Sequence, residues 1–267
     1  MKDLTFCLIT CGEETESECL AAIKPFRDKI VFQEVRNVFP QITALNQMLD
    51  QVTTPYLIPL DSDMILDENA YERIRMAIDK FSHDLNWHSL LFKLWDTLTE
   101  QEILALKILR TSIVKQYPFV DSPTPDVLHY KELTEAGYTC IDRYLTKSPI
   151  GKHVVRGPHF CYNKYRDVYM TLRRYKQAWD NGVFKGGRTL LEKSKKHFDF
   201  FLAKYALTMN SDYIYCIAGM VDGILSEQEN CSKSLAPKSY TIQVETAIDR
   251  YLDWYQDRLR QLDLFIN

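Results

Sequence analysis

One decapeptide restricts the fold of this chain more than any other stretch: Leu57-Ile58-Pro59-Leu60-Asp61-Ser62-Asp63-Met64-Ile65-Leu66. An apolar run ends in two carboxylates one residue apart, and a second apolar run follows. An apolar segment this short and continuous reads as a strand buried on both faces, as in a parallel sheet covered by helices. Side chains alternate along a strand, so Asp61 and Asp63 are expected to point the same way if the extended form persists. Both then stand at the C-terminal lip of a buried strand, where open α/β sheets bind ligands. Paired hard oxygen donors at such a lip suit Mg²⁺ or Mn²⁺. The tripeptide is also ordinary turn and helix-cap chemistry, so its surroundings decide.

Those surroundings alternate strand and helix. Residues 4–10 are a short run of strand formers ending near Gly12. Thr15-x-x-Glu18 has the form of a capping box, followed by a stripe of Cys19, Leu20, Ile23 and Phe26. Residues 29–35 read as a second strand, and Pro40 opens a helix with Ile42, Leu45, Met48, Leu49 and Val52 on one face. Residues 56–60 are the third strand. Alternation with short connections predicts a Rossmann-like, mostly parallel sheet flanked by helices. Further on, Asp67 is placed to cap a helix and residues 89–94 to form a strand, while residues 100–117 fit helix or strand equally. Thr124-Pro125 starts a helix that Gly137 stops, and residues 138–144 read as a strand. From about Phe160 the pattern is mainly helical, up to a last helix near 241–263. We therefore divide the chain into an α/β domain, 1–160, and a helical C-terminal region, 161–267.

Composition excludes several classes. A formal net charge of -3 supplies no basic field for nucleic acid. No stretch reaches the length of a membrane span, and no secretory signal pattern precedes the first strand. The seven cysteines lack paired C-x-x-C spacing, which favours reduced structural thiols in a cytoplasmic setting over a disulfide framework or a zinc site. No G-x-G-x-x-G follows the first strand, which argues against a dinucleotide.

With Arg36-Asn37 ending the second strand, Ala44 and Asn46 on the second helix, and Thr53-Thr54-Pro55-Tyr56 leading into Asp61-Ser62-Asp63, the chain resembles the GT-A glycosyltransferases. The likeness is to their inverting, family-2-like group, over residues 4–66 and more loosely over 67–160. It implies a GT-A fold, a nucleoside diphosphate-sugar donor, a hydroxyl acceptor (saccharide, lipid-linked or other) and Mn²⁺ or Mg²⁺. It further implies nucleotide contacts from Thr10, Glu13, Arg36, Asn46 and Asp61, and metal contacts from Asp61 and Asp63. A downstream histidine that adds a metal contact is sought in the loop after residue 145, where His153 and His159 compete and His153 is preferred. The acceptor's general base is sought at the start of the helix at 124, where Asp126 and Asp121 compete.

Each residue has a plainer alternative. Thr10, Gly12 and Glu13 can form a strand-to-helix turn; Arg36 and Asn46 can be surface residues; Asp126 can serve the helix dipole. Gly186-Gly187-Arg188 can be a hinge, and Lys193, Lys195 and Lys196 a solvated face in place of a patch for peripheral membrane contact. The expected activity is metal-dependent transfer of a sugar to an acceptor hydroxyl, as in bacterial surface polysaccharide or glycolipid synthesis at the inner membrane face. The alternatives are a sugar-1-phosphate nucleotidyltransferase, disfavoured because residues 10–20 hold one glycine and no Lys or Arg, and a non-catalytic assembly partner.

Overall fold

The computed structural model describes residues 2–120, 125–142, 148–180, 190–225, 246 and 248–257. It divides into two compact units, Met1–Val155 and Arg156–Asn267.

The first unit is built on one sheet. Its strands are β1 (Leu4–Thr10), β2 (Val31–Arg36), β3 (Tyr56–Asp61), β4 (Met64–Leu66), β5 (Trp87–Asp96), β6 (Gln101–Arg110), β7 (Thr139–Ile141) and β8 (Gly151–His153). The order is β2-β1-β3-β6-β5-β8-β4, with β7 pairing β5. β1 runs parallel to β2 and β3, and β5 runs parallel to β7 and β8. The antiparallel pairs are β3 with β6, β5 with β6, and β4 with β8. The expectation of a mixed α/β fold with a mostly parallel central sheet and flanking helices holds.

Both sheet faces are covered. On one face Leu4, Phe6 and Leu8 of β1 and Ile58 and Leu60 of β3 join α1 (Glu16–Ile23) and α3 (Ala70–Phe81). On the other, Cys7 and Leu57 join α2 (Gln41–Gln51). Successive residues of β1 and β3 thus enter opposite cores, which is why these strands are apolar throughout rather than alternating. The two cores together bury Trp87, Phe6, Phe92 and Met48 almost completely, and burial at about 25 cal/mol per Å² is the main term holding the layers together.

Some local expectations need correction. α1 starts where foreseen, but Thr15 makes no side-chain cap and instead accepts Cys19 N–H through its carbonyl. The undecided stretch 100–117 is β6 followed by the short α4 (Thr111–Val114), because pairing with β5 satisfies its backbone. α5 (Pro125–Glu135) ends as foreseen: Gly137 adopts φ +93, Tyr138 N–H reaches Leu133 O and Gly137 N–H reaches Thr134 O. His153 lies in strand β8, not in a loop.

The second unit contains α6 (Pro158–Asp180), α7 (Leu190–Thr208), α8 (Asp212–Leu225) and helical residues 248–257. α8 is apolar around most of its circumference and is buried accordingly. It crosses α6 so closely that a Cβ on Gly219 would stand 2.1 Å from the Tyr162 carbonyl oxygen. Tyr162, Tyr165 and Tyr169 of α6 are buried, and Phe198 stacks on Tyr251 at 4.1 Å. No described helix is long and apolar enough to cross a membrane. Lys195 pairs with Asp199, and burial lowers the affinity of Lys193 for its proton. Gly186-Gly187-Arg188 lies outside the described residues, as does most of the last expected helix.

Candidate functional site at the lip of the sheet

The extended form does not persist through the two aspartates. β3 ends at Asp61, Ser62 and Asp63 form a turn, and β4 begins at Met64. The condition for the same-face expectation is therefore not met: Asp61 is exposed, whereas Asp63 is buried at 7% exposure. Three contacts hold the turn. Ser62 Oγ donates to Glu13 Oε2 at 2.6 Å, Val154 N–H donates to Asp63 O at 2.8 Å, and Cys19 Sγ–H donates to Asp61 O at 3.8 Å.

Asp63 meets a histidine because of sheet register. β8 lies between β4 and β5, so His153 is opposite Met64 on one side and Asp96 on the other. Its Nε2 is 3.0 Å from Asp63 Oδ2 and its Nδ1 is 2.6 Å from Asp96 Oδ2. All three side chains are nearly buried. Burial alone would raise the Asp96 pKa, but contacts from His153 and from the Thr99 N–H and hydroxyl outweigh it and bring it down to about 2. Asp96 is therefore a carboxylate at neutral pH.

A carboxylate beside an imidazole nitrogen is a donor pair of the kind that suits Mn²⁺. His153 Nε2 and Asp63 Oδ2 are in direct contact at 3.0 Å, and both are ligand types that such an ion takes. Among the described residues no group of three His, Cys, Asp or Glu side chains is arranged to cage an ion. One or two side chains with substrate phosphates completing the shell is the usual arrangement for such ions, so the residues present fit.

Asp61 faces a different space. It lines a pocket of about 110 Å³ with Lys107, Asp126, His88, His129 and Tyr130. Asp126, in the first turn of α5, pairs with Lys107 Nζ at 3.0 Å. Asp121, the other base candidate, lies outside the described residues. His88 and His129 are buried, and neither His88 nitrogen nor His129 Nε2 has a hydrogen-bond partner among the described residues. Burial, with Lys107 and His129 adding repulsion, pushes the His88 pKa down to about 4; burial also lowers that of His129.

The remaining expected contacts are engaged locally. Thr10 is buried; its hydroxyl lies 2.7 Å from both Glu13 Oε2 and Glu16 Oε2 and accepts Gly12 N–H at 3.0 Å. Gly12 has φ +82, which suits glycine in this turn. Glu13 Oε2 also accepts Cys11 N–H at 2.9 Å. Although burial works to raise the Glu13 pKa, hydrogen bonds from Ser62, Cys11 and Thr10 hold it below the ordinary value. Arg36 pairs with Glu16 and Glu34, each at 2.5 Å. Asn46 clamps the segment before α5, donating to Phe119 O and accepting Phe119 N–H, both at 2.9 Å. His159 is exposed in the first turn of α6, in the second unit.

Sequence reasoning missed Asp96 and Ser62. Asp96-Thr97-Leu98-Thr99 carried a signal: a carboxylate closing an apolar strand and followed by hydroxyls, much as Asp61 closes β3. His88 and His129 carried none, because each is a lone histidine beside apolar residues.

No family model matches the chain, and no curated protein does. Several solved structures are similar in chain path. The mannosyltransferase PcManGT from Pyrobaculum calidifontis, in complex with GDP-Man and Mn²⁺, is 12% identical over 85% of this chain and 88% of its own, with a TM-score of 0.48. TarS 1-349 from S. aureus in complex with UDP is 12% identical over 97% of this chain and 91% of its own, at 0.43. The bifunctional IspDF from Campylobacter jejuni is 10% identical over 52% of this chain and 49% of its own, at 0.37.

Proposed function

We propose that this chain is a divalent-metal-dependent glycosyltransferase that moves a sugar from a nucleoside diphosphate to an acceptor hydroxyl with inversion. The observation that supports it most is the convergence of Asp63 and His153 at the lip of β3, with Asp96 behind. In this reading Asp63 and His153 hold Mn²⁺ or Mg²⁺. When bound, the ion supplies Lewis-acid stabilisation of the charge that develops on the departing diphosphate. Glu13 and Ser62 keep the turn in shape so that Asp63 stays aimed at that point.

The pocket beside Asp61 receives the reacting sugar and the acceptor. Asp126, held there by Lys107, takes the hydroxyl proton as general base. The acceptor oxygen then bonds to the anomeric carbon while the bond from that carbon to the diphosphate oxygen breaks, and its electron pair leaves with the diphosphate. Thr10 and Arg36 border the lip where the nucleoside is expected, and Asp61 is expected at its ribose.

Thermal melts with a panel of nucleoside diphosphates, each with and without Mn²⁺, test this reading. Ligand that binds only the folded chain at 100 times its Kd stabilises it by about 2.7 kcal/mol. A Mn²⁺-dependent rise with one diphosphate that disappears in Asp63→Ala supports the proposal and names the base. A panel that leaves the melt unmoved refutes it.

A further inference from the structure

The two oxygens of Asp96 have separate tasks. Oδ1 accepts Leu98 N–H at 3.1 Å, Thr99 N–H at 2.6 Å and the Thr99 hydroxyl at 2.7 Å, which closes the turn between β5 and β6. Oδ2 faces His153 Nδ1 alone among these groups, at 2.6 Å. A carboxylate offers no proton, so Nδ1 carries one toward Asp96; by the same rule Nε2 carries one toward Asp63 Oδ2, 3.0 Å away, in the metal-free protein. Nε2, on the side of the ring that faces Asp63, is the nitrogen whose proton a divalent cation would displace, while Asp96 keeps the proton on Nδ1.

We propose that Asp96 is a positioning residue that fixes His153 in the Nδ1–H tautomer, so that Nε2 and the Asp63 carboxylate present a paired donor set to a divalent cation. The inference rests on the metal-dependent reading above and assigns a role to a residue that itself touches neither ion nor substrate. Carboxylates behind ligating histidines fix ring orientation and tautomer and raise ligand basicity. β8 makes the arrangement rigid: the His153 carbonyl accepts Thr97 N–H at 3.0 Å, and Val154 N–H holds Asp63 O at 2.8 Å.

Asp96→Asn separates positioning from folding. Its amide oxygen can take the place of Oδ1 and keep the turn. Its NH₂ then replaces Oδ2 and donates to Nδ1. That leaves the imidazole proton on Nε2 alone, where it hydrogen-bonds to Asp63 Oδ2 and leaves no lone pair for a cation. The variant stays fully hydrogen-bonded and loses metal affinity.

The experiment titrates metal-free protein with Mn²⁺, alone and with UDP and with GDP, and reads free Mn²⁺ by its electron paramagnetic resonance signal. Wild type, Asp96→Asn and His153→Ala are compared, with urea midpoints as the folding control. Loss of affinity by about 10- to 100-fold in Asp96→Asn, with an unchanged urea midpoint, supports the inference. Equal affinity in wild type and Asp96→Asn overturns it while leaving the glycosyltransferase reading intact. No Mn²⁺ binding by wild type under any condition overturns both. Should Asp96→Asn not fold, ¹⁵N spectra of the histidines in Mg²⁺-loaded wild type decide, with His153 assigned by its absence in His153→Ala. A protonated Nδ1 and bare Nε2 support the inference, and a protonated Nε2 overturns it.

Discussion

His88 offers a test in which stability and pH pull in a direction fixed by the structure. The side chain is 1% exposed, and neither ring nitrogen has a partner among the described residues. A buried donor or acceptor without a partner costs about 1–3 kcal/mol. The favourable edge-on contact with Tyr130, at 5.2 Å between ring centres, belongs to a class of ring pairs worth about 0.5–1.5 kcal/mol. His88→Leu removes both, so at pH 7.5 the variant should be more stable by about 1 kcal/mol. Burial first, then His129 and Lys107, push the folded pKa down to about 4 from an ordinary value of 6.5. As the pH falls below 6.5 the unfolded chain therefore takes up a proton that the folded chain refuses. Full stability from this group is present above 6.5 and is lost progressively toward 4. At pH 5.5 the loss is about 1.4 kcal/mol. Urea unfolding of both proteins at pH 7.5 and 5.5 measures it: the variant's advantage should grow from about 1 to about 2.4 kcal/mol. An advantage that is the same at both pH values would refute the reasoning, because it would mean that His88 titrates alike in the folded and unfolded chain.

Other perturbations follow from single contacts. Gly219→Ala drives a methyl to within 2.1 Å of the Tyr162 carbonyl oxygen; overpacking of this kind costs about 1–3 kcal/mol or more, so the second unit should melt earlier by circular dichroism. Asn46→Ala removes both bonds to Phe119 and should destabilise by about 1–3 kcal/mol, with faster amide exchange at Phe119. Glu13→Gln replaces a carboxylate whose pKa is held down by Ser62, Cys11 and Thr10 against the effect of burial. Wild type should therefore lose stability as the pH falls below 4.5, and the variant should lose less over the same acid titration.

The first half of the sheet could be read from residues because each side chain there answers to one influence. β1 and β3 are apolar runs, and packing on both faces requires that composition; β2, at the sheet edge, is set off from them by a cap-like segment and Pro40. β6 could not be read this way. Gln101–Arg110 carries a pattern that suits either period, and only pairing with β5 selects the strand. The same limit applies to His153. Placing it in a loop followed from its position after the expected strand at 138–144, whereas its backbone is held between β4 and β5 by pairings with residues about 90 and 57 positions away. Asp126 was placed correctly in the first turn of a helix, but its partner Lys107 comes from β6, the strand whose identity the sequence left open.

The fate of the two aspartates shows why a motif's composition can be informative while its implied geometry is not. Period-two alternation would have put Asp61 and Asp63 on one face, sharing one ligand. The turn at Ser62 separates them by environment: Asp63 is drawn in beside His153, and Asp61 stays at the mouth of a pocket that holds Lys107 and Asp126. The turn is possible because Ser62 has a half-buried acceptor in Glu13, which in turn collects Thr10 and Cys11. Residues expected to touch a nucleotide thus shape the turn that aims Asp63. If that is their main work, Ser62→Ala should weaken Mn²⁺ binding while barely changing nucleoside diphosphate binding measured without metal. Were Glu13 and Thr10 instead to act chiefly on the nucleoside, the substitution of Thr10→Val would impair metal-free nucleotide binding and leave Mn²⁺ affinity intact. Titrations of the two variants, run side by side, separate a strut from a contact.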